Sequence, residues 1–296
     1  MRIGFIGCVE SSLLALETLV SMDNVEVVAV ITRRATTVNA DFADLIQLCK
    51  LNDIPYLFEE PTNRIMSTEF FRRYDLDIIY CIGWSYLLSK DLLDLTPQGV
   101  IGFHPAKLPA NRGRHPIIWA LVLGLNETAS TFFKMDESAD SDPILSQELV
   151  PIDAEDNATS LYKKILITAK KQIIDFTNQL TSGTAVFNEQ SSDLATYWRK
   201  RCKEDGLIDW RMSAAAIHNL VRALTFPYSG AEFILRDKLV PVFCSTIDLN
   251  TYAENIEPGK VLSVKGTSIL VKCYGINSIW LHNLNEDQLP IVGEYL

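Results

Sequence analysis

Positive charge is scarce in this chain. Its 296 residues hold 27 Lys and Arg against 37 Asp and Glu, a formal charge of −10 and a pI near 5.0. A protein built around a nucleic-acid backbone needs a basic footprint, so nucleic acid is not an expected partner. Histidine is scarcer still, with four copies, and none falls at a metal-ligand spacing. The six cysteines form no CxxC pair, so no metal is expected either. Cys8, Cys49, Cys81, Cys202, Cys244 and Cys273 lie far apart in mostly apolar stretches, which reads as buried free thiols in a reducing compartment. No run approaches the roughly 18 apolar residues of a membrane span, and the opening MRIGFIGCVESS lacks a signal-peptide core. The chain therefore reads as cytoplasmic, with no membrane partner. Gly4 and Gly7 fail to complete GxGxxG, which argues against a dinucleotide site. Internal repeats and low-complexity tracts are missing as well.

What the chain does have is a globular composition, 48% hydrophobic and 22% charged, and a length that suits one large or two modest domains. Its first half alternates strand and helix patterns. Strands are expected over 2–6, 25–32, 54–58, 77–82 and 100–103, with helices over 11–22, 41–52, 66–74 and near 90–95. Ser11 or Ser12 is the expected cap of the first helix. The run DIIYCI is apolar throughout, as a strand covered on both faces must be. This alternation predicts a mostly parallel α/β sheet of Rossmann-like type with right-handed crossovers. A long helix over 159–180 closes the expected first domain, 1–188, and a linker is expected over 189–204. In the final segment, 205–296, an amphipathic helix over 213–224 precedes strand-like pieces at 239–247, 260–264, 268–273 and 278–281. That pattern predicts a small β-rich, OB-like domain.

The most informative stretch runs from Gly99, GVIGFHPAKLPANRGRHPIIW, and about fifteen residues later reaches MDESADSDPI. It sets His104 just past a short apolar strand, where ligands bind in such sheets. A loop punctuated by proline follows, then the basic turn Arg112-Gly113-Arg114 and an apolar helix start. The second piece brings Asp140 into a loop before a strand-like stretch at 144–150. A histidine and an aspartate converging at a strand end, beside a glycine-arginine turn, can arrange acyl transfer to a nucleophile. The other histidines read differently. His218 and Arg222 share a helix face, as on a solvated or interdomain surface, and His282 stands alone in WLHNL as a structural residue.

FHPAKLPANRGRHPIIWALVLGLNETASTFFKMDESADSDPI resembles the folate-dependent formyltransferase family. The likeness continues in DGLIDWRMSAAAIHNLVRALTFPYSGA, which is similar to the second domain of the family's tRNA and sugar-nucleotide enzymes. Together these stretches make up roughly a quarter of the chain. The resemblance implies 10-formyltetrahydrofolate as formyl donor and co-substrate, an amine as acceptor, and an α/β catalytic domain followed by a small OB-like barrel. It also implies that His104 donates to the oxyanion or handles the proton of the attacking amine. Asp140 then orients the histidine or accepts that proton, directly or through water. Ile82, Trp84, Tyr86, Leu87 and Leu88 carry over as an apolar folate slot, with core packing as the alternative for the two leucines.

Two departures from the family pattern matter. The family usually has asparagine two residues before the histidine, where this chain has Gly102. Losing an oxyanion donor costs about 10²–10³ in rate, so either the enzyme is weak or inactive or another donor substitutes, with Asn111 as the candidate against a backbone amide or an ordered water. The second departure is Asp142, where the family usually has glycine. It could raise a neighbouring carboxyl's pKa, hold the acceptor's ammonium, or simply lie exposed.

Charge also bears on the acceptor. The family's tRNA enzymes carry a basic loop early in the chain, whereas TRRATTVNADFADL has two arginines and then turns acidic. From Lys200 onward ten Lys and Arg face eleven Asp and Glu. Arg112 and Arg114, beside a glycine and a helix start, could instead clamp a pyrophosphate. The WRKR and RGRHP segments resemble the family's sugar-nucleotide branch, which implies a nucleotide-linked amino sugar of the amino-deoxyhexose type as the small-molecule substrate, for surface polysaccharide synthesis. Methionyl-tRNA and a non-catalytic folate-binding role are the alternatives, and a homodimer is compatible with either.

Overall fold

The computed structural model describes residues 1–35, 41–59, 65–137, 140–141 and 143–296. The first elements alternate: β1 (Arg2–Ile6), α1 (Glu10–Val20), β2 (Glu26–Thr32), α2 (Ile46–Leu51), β3 (Tyr56–Phe58), α3 (Ile65–Phe71), β4 (Ile78–Cys81), α4 (Lys90–Leu93) and β5 (Val100–His104). A two-residue strand β6 (Arg112–Gly113) follows, then α5 (Pro116–Val122), β7 (Glu127–Lys134), β8 (Ile144–Pro151) and the long α6 (Ala158–Ser182). Next come β9 (Tyr197–Trp198), α7 (Ala214–Leu224), β10 (Ala231–Leu235), β11 (Lys238–Val242) and β12 (Cys244–Ile247). β13 (Val261–Lys265), β14 (Ser268–Lys272) and β15 (Ser278–His282) end the series.

Two compact units emerge. The first combines residues 1–116, 128–150 and 163–198, and the second combines 117–127, 151–162 and 199–296. In the first, seven strands lie in the order β3-β2-β1-β4-β5-β7-β8. Neighbours from β3 to β5 run parallel, and β7 is antiparallel to β5. The order reverses at β1, which has β2 on one side and β4 on the other, and such a switch opens a crevice beyond the strands' carboxyl ends. Alternating apolar side chains feed two cores. One gathers Ile3 and Phe5 with Leu16 and Leu19 of α1 and with Ile173 and Phe176 of α6. The other gathers Ile6 and Ile79 with Phe70 and Phe71 of α3 and with Leu92 and Leu93 of α4. Burial on both faces is why DIIYCI carries no polar alternation.

Several expectations need correction. Neither Ser11 nor Ser12 precedes α1: the helix begins at Glu10. Ser12 Oγ instead accepts from the Cys8 and Val9 amides and donates to the Ile82 carbonyl at 2.6 Å, joining the ends of β1 and β4. The helix expected over 41–52 shrinks to α2. Cys202 and Cys244 are exposed, and only the other four thiols are buried.

The second unit is strand-rich and antiparallel, with a β10–β11 hairpin and a four-stranded sheet in the order β12-β15-β14-β13. The segment expected as one strand over 239–247 is two, β11 and β12. β10 had no counterpart in the sequence reading; Arg236 and Asp237, both at positive φ, form its two-residue turn as primed hairpin turns require. Ser213 caps α7, its side chain accepting from the Ala216 amide at 3.1 Å. Arg222 donates to the Asp153 and Asp156 carbonyls, and His218 Nδ1 meets Ser245 Oγ at 3.0 Å. Burial and then Arg222 push the His218 pKa down. His282 is held between the hydroxyls of Thr246 and Ser268. Both histidines thus have structural partners.

Candidate active site

β5 delivers His104 to its carboxyl end, 6% exposed. The loop beyond it is pinned by side chains of β7 and β8. Thr131 Oγ1 donates to the Ala106 carbonyl at 2.6 Å, and Gln147 Nε2 donates to the Leu108 carbonyl at 2.9 Å. The loop then turns through left-handed backbone at Asn111 (φ 65°), Gly113 (102°) and His115 (56°). Glycine at 113 is obligatory, because an added Cβ would lie 2.3 Å from the Trp198 carbonyl oxygen. That close approach is the parallel pairing of β6 with β9.

His104 and Asp140 meet. Nδ1 of the ring lies 3.7 Å from Asp140 Oδ2, while Nε2 lies 2.9 Å from the Asn111 carbonyl oxygen. A carbonyl only accepts, so Nε2 carries a proton and Nδ1 is the nitrogen left to exchange one. A cation formed there would sit against the carboxylate. Asp140, itself at φ 60°, accepts the Gly113 amide at Oδ2 over 3.0 Å.

The other site residues fall less simply. Asn111 approaches the histidine through its carbonyl; its amide donates to Thr196 Oγ1, and its side-chain oxygen accepts from the same hydroxyl at 3.5 Å. An Asn-like group at 102 would require Met135 to move, since a Cβ there would meet Met135 Cγ at 2.6 Å and Sδ at 2.9 Å. The thioether fills that place. Arg112 is 4% exposed and donates to the Tyr197 hydroxyl at 3.0 Å and to Gln190 Oε1 at 2.8 Å. Arg114 is exposed and donates to the Ser85 carbonyl. Asp142 lies outside the described residues.

Of the apolar slot, Ile82 packs into the first core, and Trp84 and Leu88 pack against the second. Tyr86 and Leu87 are 41% and 59% exposed. The Arg33 guanidinium stacks on both Trp84 and Tyr86, 4.8 and 3.8 Å from the ring centroids, and pairs with the buried Glu59. Sequence reasoning missed Arg33, Met135, Gln147, Gln190, Thr196 and Tyr197. No spacing marks them, because each acts through a contact distant in the chain. Among the described residues no cluster of three His, Cys, Asp or Glu could hold a metal, and no helix is long and apolar enough to cross a membrane.

A mixed sheet carrying a histidine–carboxylate pair at a strand end is the arrangement of an α/β enzyme with acid–base chemistry. Comparison with known proteins narrows the class. The family described as formyl transferase matches residues 11–177, and its C-terminal domain matches 201–291. Methionyl-tRNA formyltransferase of Citrifermentans bemidjiense is 32% identical over 303 residues, covering 100% of this chain and 93% of that protein. The chain belongs to the formyl transferase family and is a formyl-transferring enzyme. Solved structures share the fold. One is a sugar 3N-formyl transferase solved in the presence of dTDP and 5-N-formyl-THF, with TM-score 0.72, 15% identity, and 97% and 98% of the two chains covered. Another is the N-formyltransferase from Helicobacter canadensis with folinic acid and dTDP-3-aminofucose, with TM-score 0.73, 15% identity, and 96% and 100% covered. A glycinamide ribonucleotide transformylase from Symbiobacterium toebii matches over 64% of this chain and 94% of its own, at TM-score 0.57 and 20% identity.

Proposed function

We propose that this enzyme moves the formyl group of 10-formyltetrahydrofolate to the amine of a nucleotide-linked amino-deoxyhexose, in the cytoplasm, for surface polysaccharide synthesis. The His104–Asp140 pair at the end of β5 carries the catalytic part of this reading. When bound, the folate supplies an activated formyl carbon. The exposed Tyr86 and Leu87 fit it, because they offer apolar surface beyond β4, the strand next to β5. Trp84 and Leu88 flank them, while Ile82 supports the slot from within the core.

Attack by a neutral amine leaves a cationic nitrogen that must lose a proton. Nδ1 of His104 receives it while Nε2 stays bound to the Asn111 carbonyl and Asp140 holds the resulting charge. The proton then passes to the donor nitrogen as its bond to the formyl carbon breaks, releasing tetrahydrofolate and the formamide. Arg112 is committed to Gln190 and Tyr197, so Arg114 is the arginine of the turn that can reach a substrate phosphate. Near-neutral charge from residue 200 onward, ten basic against eleven acidic side chains, favours a small acceptor over a tRNA backbone. The full-length likeness to a methionyl-tRNA formyltransferase favours methionyl-tRNA as the second reading. Assaying tetrahydrofolate release with each acceptor separates them: turnover with methionyl-tRNA alone replaces the sugar, and turnover with neither points to a different amine acceptor.

A further inference from the structure

We propose that Gln190 is a positioning residue that sets the His104–Asp140 geometry from the segment 190–198. This inference rests on the reading of that pair as the proton-handling centre. Asp140 stands at φ 60°, a backbone state that non-glycine residues keep only where their surroundings over-determine it. Two bonds do so. The carboxylate accepts the Gly113 amide at 3.0 Å, and the Asp140 carbonyl accepts Gln190 Nε2 at 3.0 Å. The Gln190 amide cannot flip, because its oxygen is 2.8 Å from Arg112 Nη2 and a guanidinium only donates. Arg112 is fixed in turn by the Tyr197 hydroxyl and by its own amide, which donates to the Thr196 carbonyl at 2.9 Å.

The same segment holds the histidine's other partner. Thr196 Oγ1 accepts the Asn111 amide at 2.9 Å, and the Asn111 carbonyl faces His104 Nε2. Both ends of the pair are therefore referenced to one stretch of chain. Gln190 belongs to no regular element, so its side chain, bonded to Asp140 and to Arg112, ties the loop of Asp140 to β6.

Two variants separate the tie to Asp140 from the packing of Arg112. Gln190→Ala loses both bonds. Gln190→Glu keeps an acceptor for Arg112 and loses the donor to Asp140. The expected result is a kcat lowered about 10- to 100-fold in both, the cost of a slightly misplaced group. KM for donor and acceptor should stay within about twofold, because no uniform binding contact is lost. Thermal stability should fall less in the glutamate variant, which keeps the bond to Arg112, than in the alanine variant. Exchange of the Gly113 amide hydrogen should quicken in both variants, a readout that needs no substrate. If kcat instead follows stability, so that Gln190→Glu works as well as wild type, the proposal is overturned. Wild-type rates in both variants overturn it too. His104→Ala and Asp140→Asn run alongside: if they keep full turnover, the reading of the pair itself has failed, and if they abolish it while Gln190 variants do not, only the role of Gln190 has.

Discussion

At the residue scale the account rests on which atoms face each other. Nε2 of His104 is committed to a carbonyl and Nδ1 faces a carboxylate, so removing either partner should act on chemistry rather than folding. His104→Ala and Asp140→Asn are each expected to lower kcat by about 10²–10⁴, with far-ultraviolet circular dichroism unchanged; near-wild-type rates in both would refute the assignment. Gly102 offers a second test. Gly102→Asn alone should overpack against Met135 and cost about 1–3 kcal/mol of stability. Adding Met135→Ala should relieve that strain and raise turnover, since the amide then has room beside His104. If Gly102→Asn alone gains rate without losing stability, the thioether is not what fills this position. The thiols give an independent check on burial. Burial pushes the pKa values of Cys8 and Cys49 up to about 11 and that of Cys273 up to about 12, and Cys81 also rises by burial. A thiol reagent at neutral pH should therefore label the native chain first at the exposed Cys244 and more slowly at the exposed Cys202, whose pKa is raised by its bonds to Glu204 and Asp205; rapid labelling at Cys81 would contradict the packing of β4.

Elements decide how the site is held, and here sequence reading reached only part of the way. The parallel strands β1 to β5 were legible because each is a short apolar run set off by turn residues, and the strand end at His104 followed from them. β7, with five consecutive buried residues after Thr128, carries too little alternation to separate it from a buried helix by pattern. The pairing of Arg112–Gly113 with Tyr197–Trp198 was not legible at all: two-residue strands have no periodicity, and the partners lie more than eighty residues apart. Asn111 shows the same limit, since its residue type gives no sign that left-handed backbone turns its carbonyl to the histidine. The β6–β9 pairing predicts that Gly113→Ala, which sets a Cβ 2.3 Å from the Trp198 oxygen at φ 102°, strains the loop by about 1–3 kcal/mol. Turnover should fall further than stability alone explains. A fully active Gly113→Ala enzyme would mean that the loop can leave β9 without cost to the site.

For the whole molecule the discriminating quantity is charge. A net −10 with pI near 5.0 is compatible with a small anionic substrate met by a local cation such as Arg114, and poorly matched to a polyanion gripped along its length. The acceptor KM should accordingly rise only weakly between low and physiological salt, whereas an acceptor held by many phosphate contacts would weaken by orders of magnitude over the same range. The most direct test supplies wild-type protein with 10-formyltetrahydrofolate and a panel of nucleotide-linked amino-deoxyhexoses, then measures tetrahydrofolate release together with formamide on the sugar. The account predicts the two in equal amounts for at least one sugar and none with His104→Ala. Transfer to methionyl-tRNA alone, or sugar formylation that survives loss of His104, would contradict it.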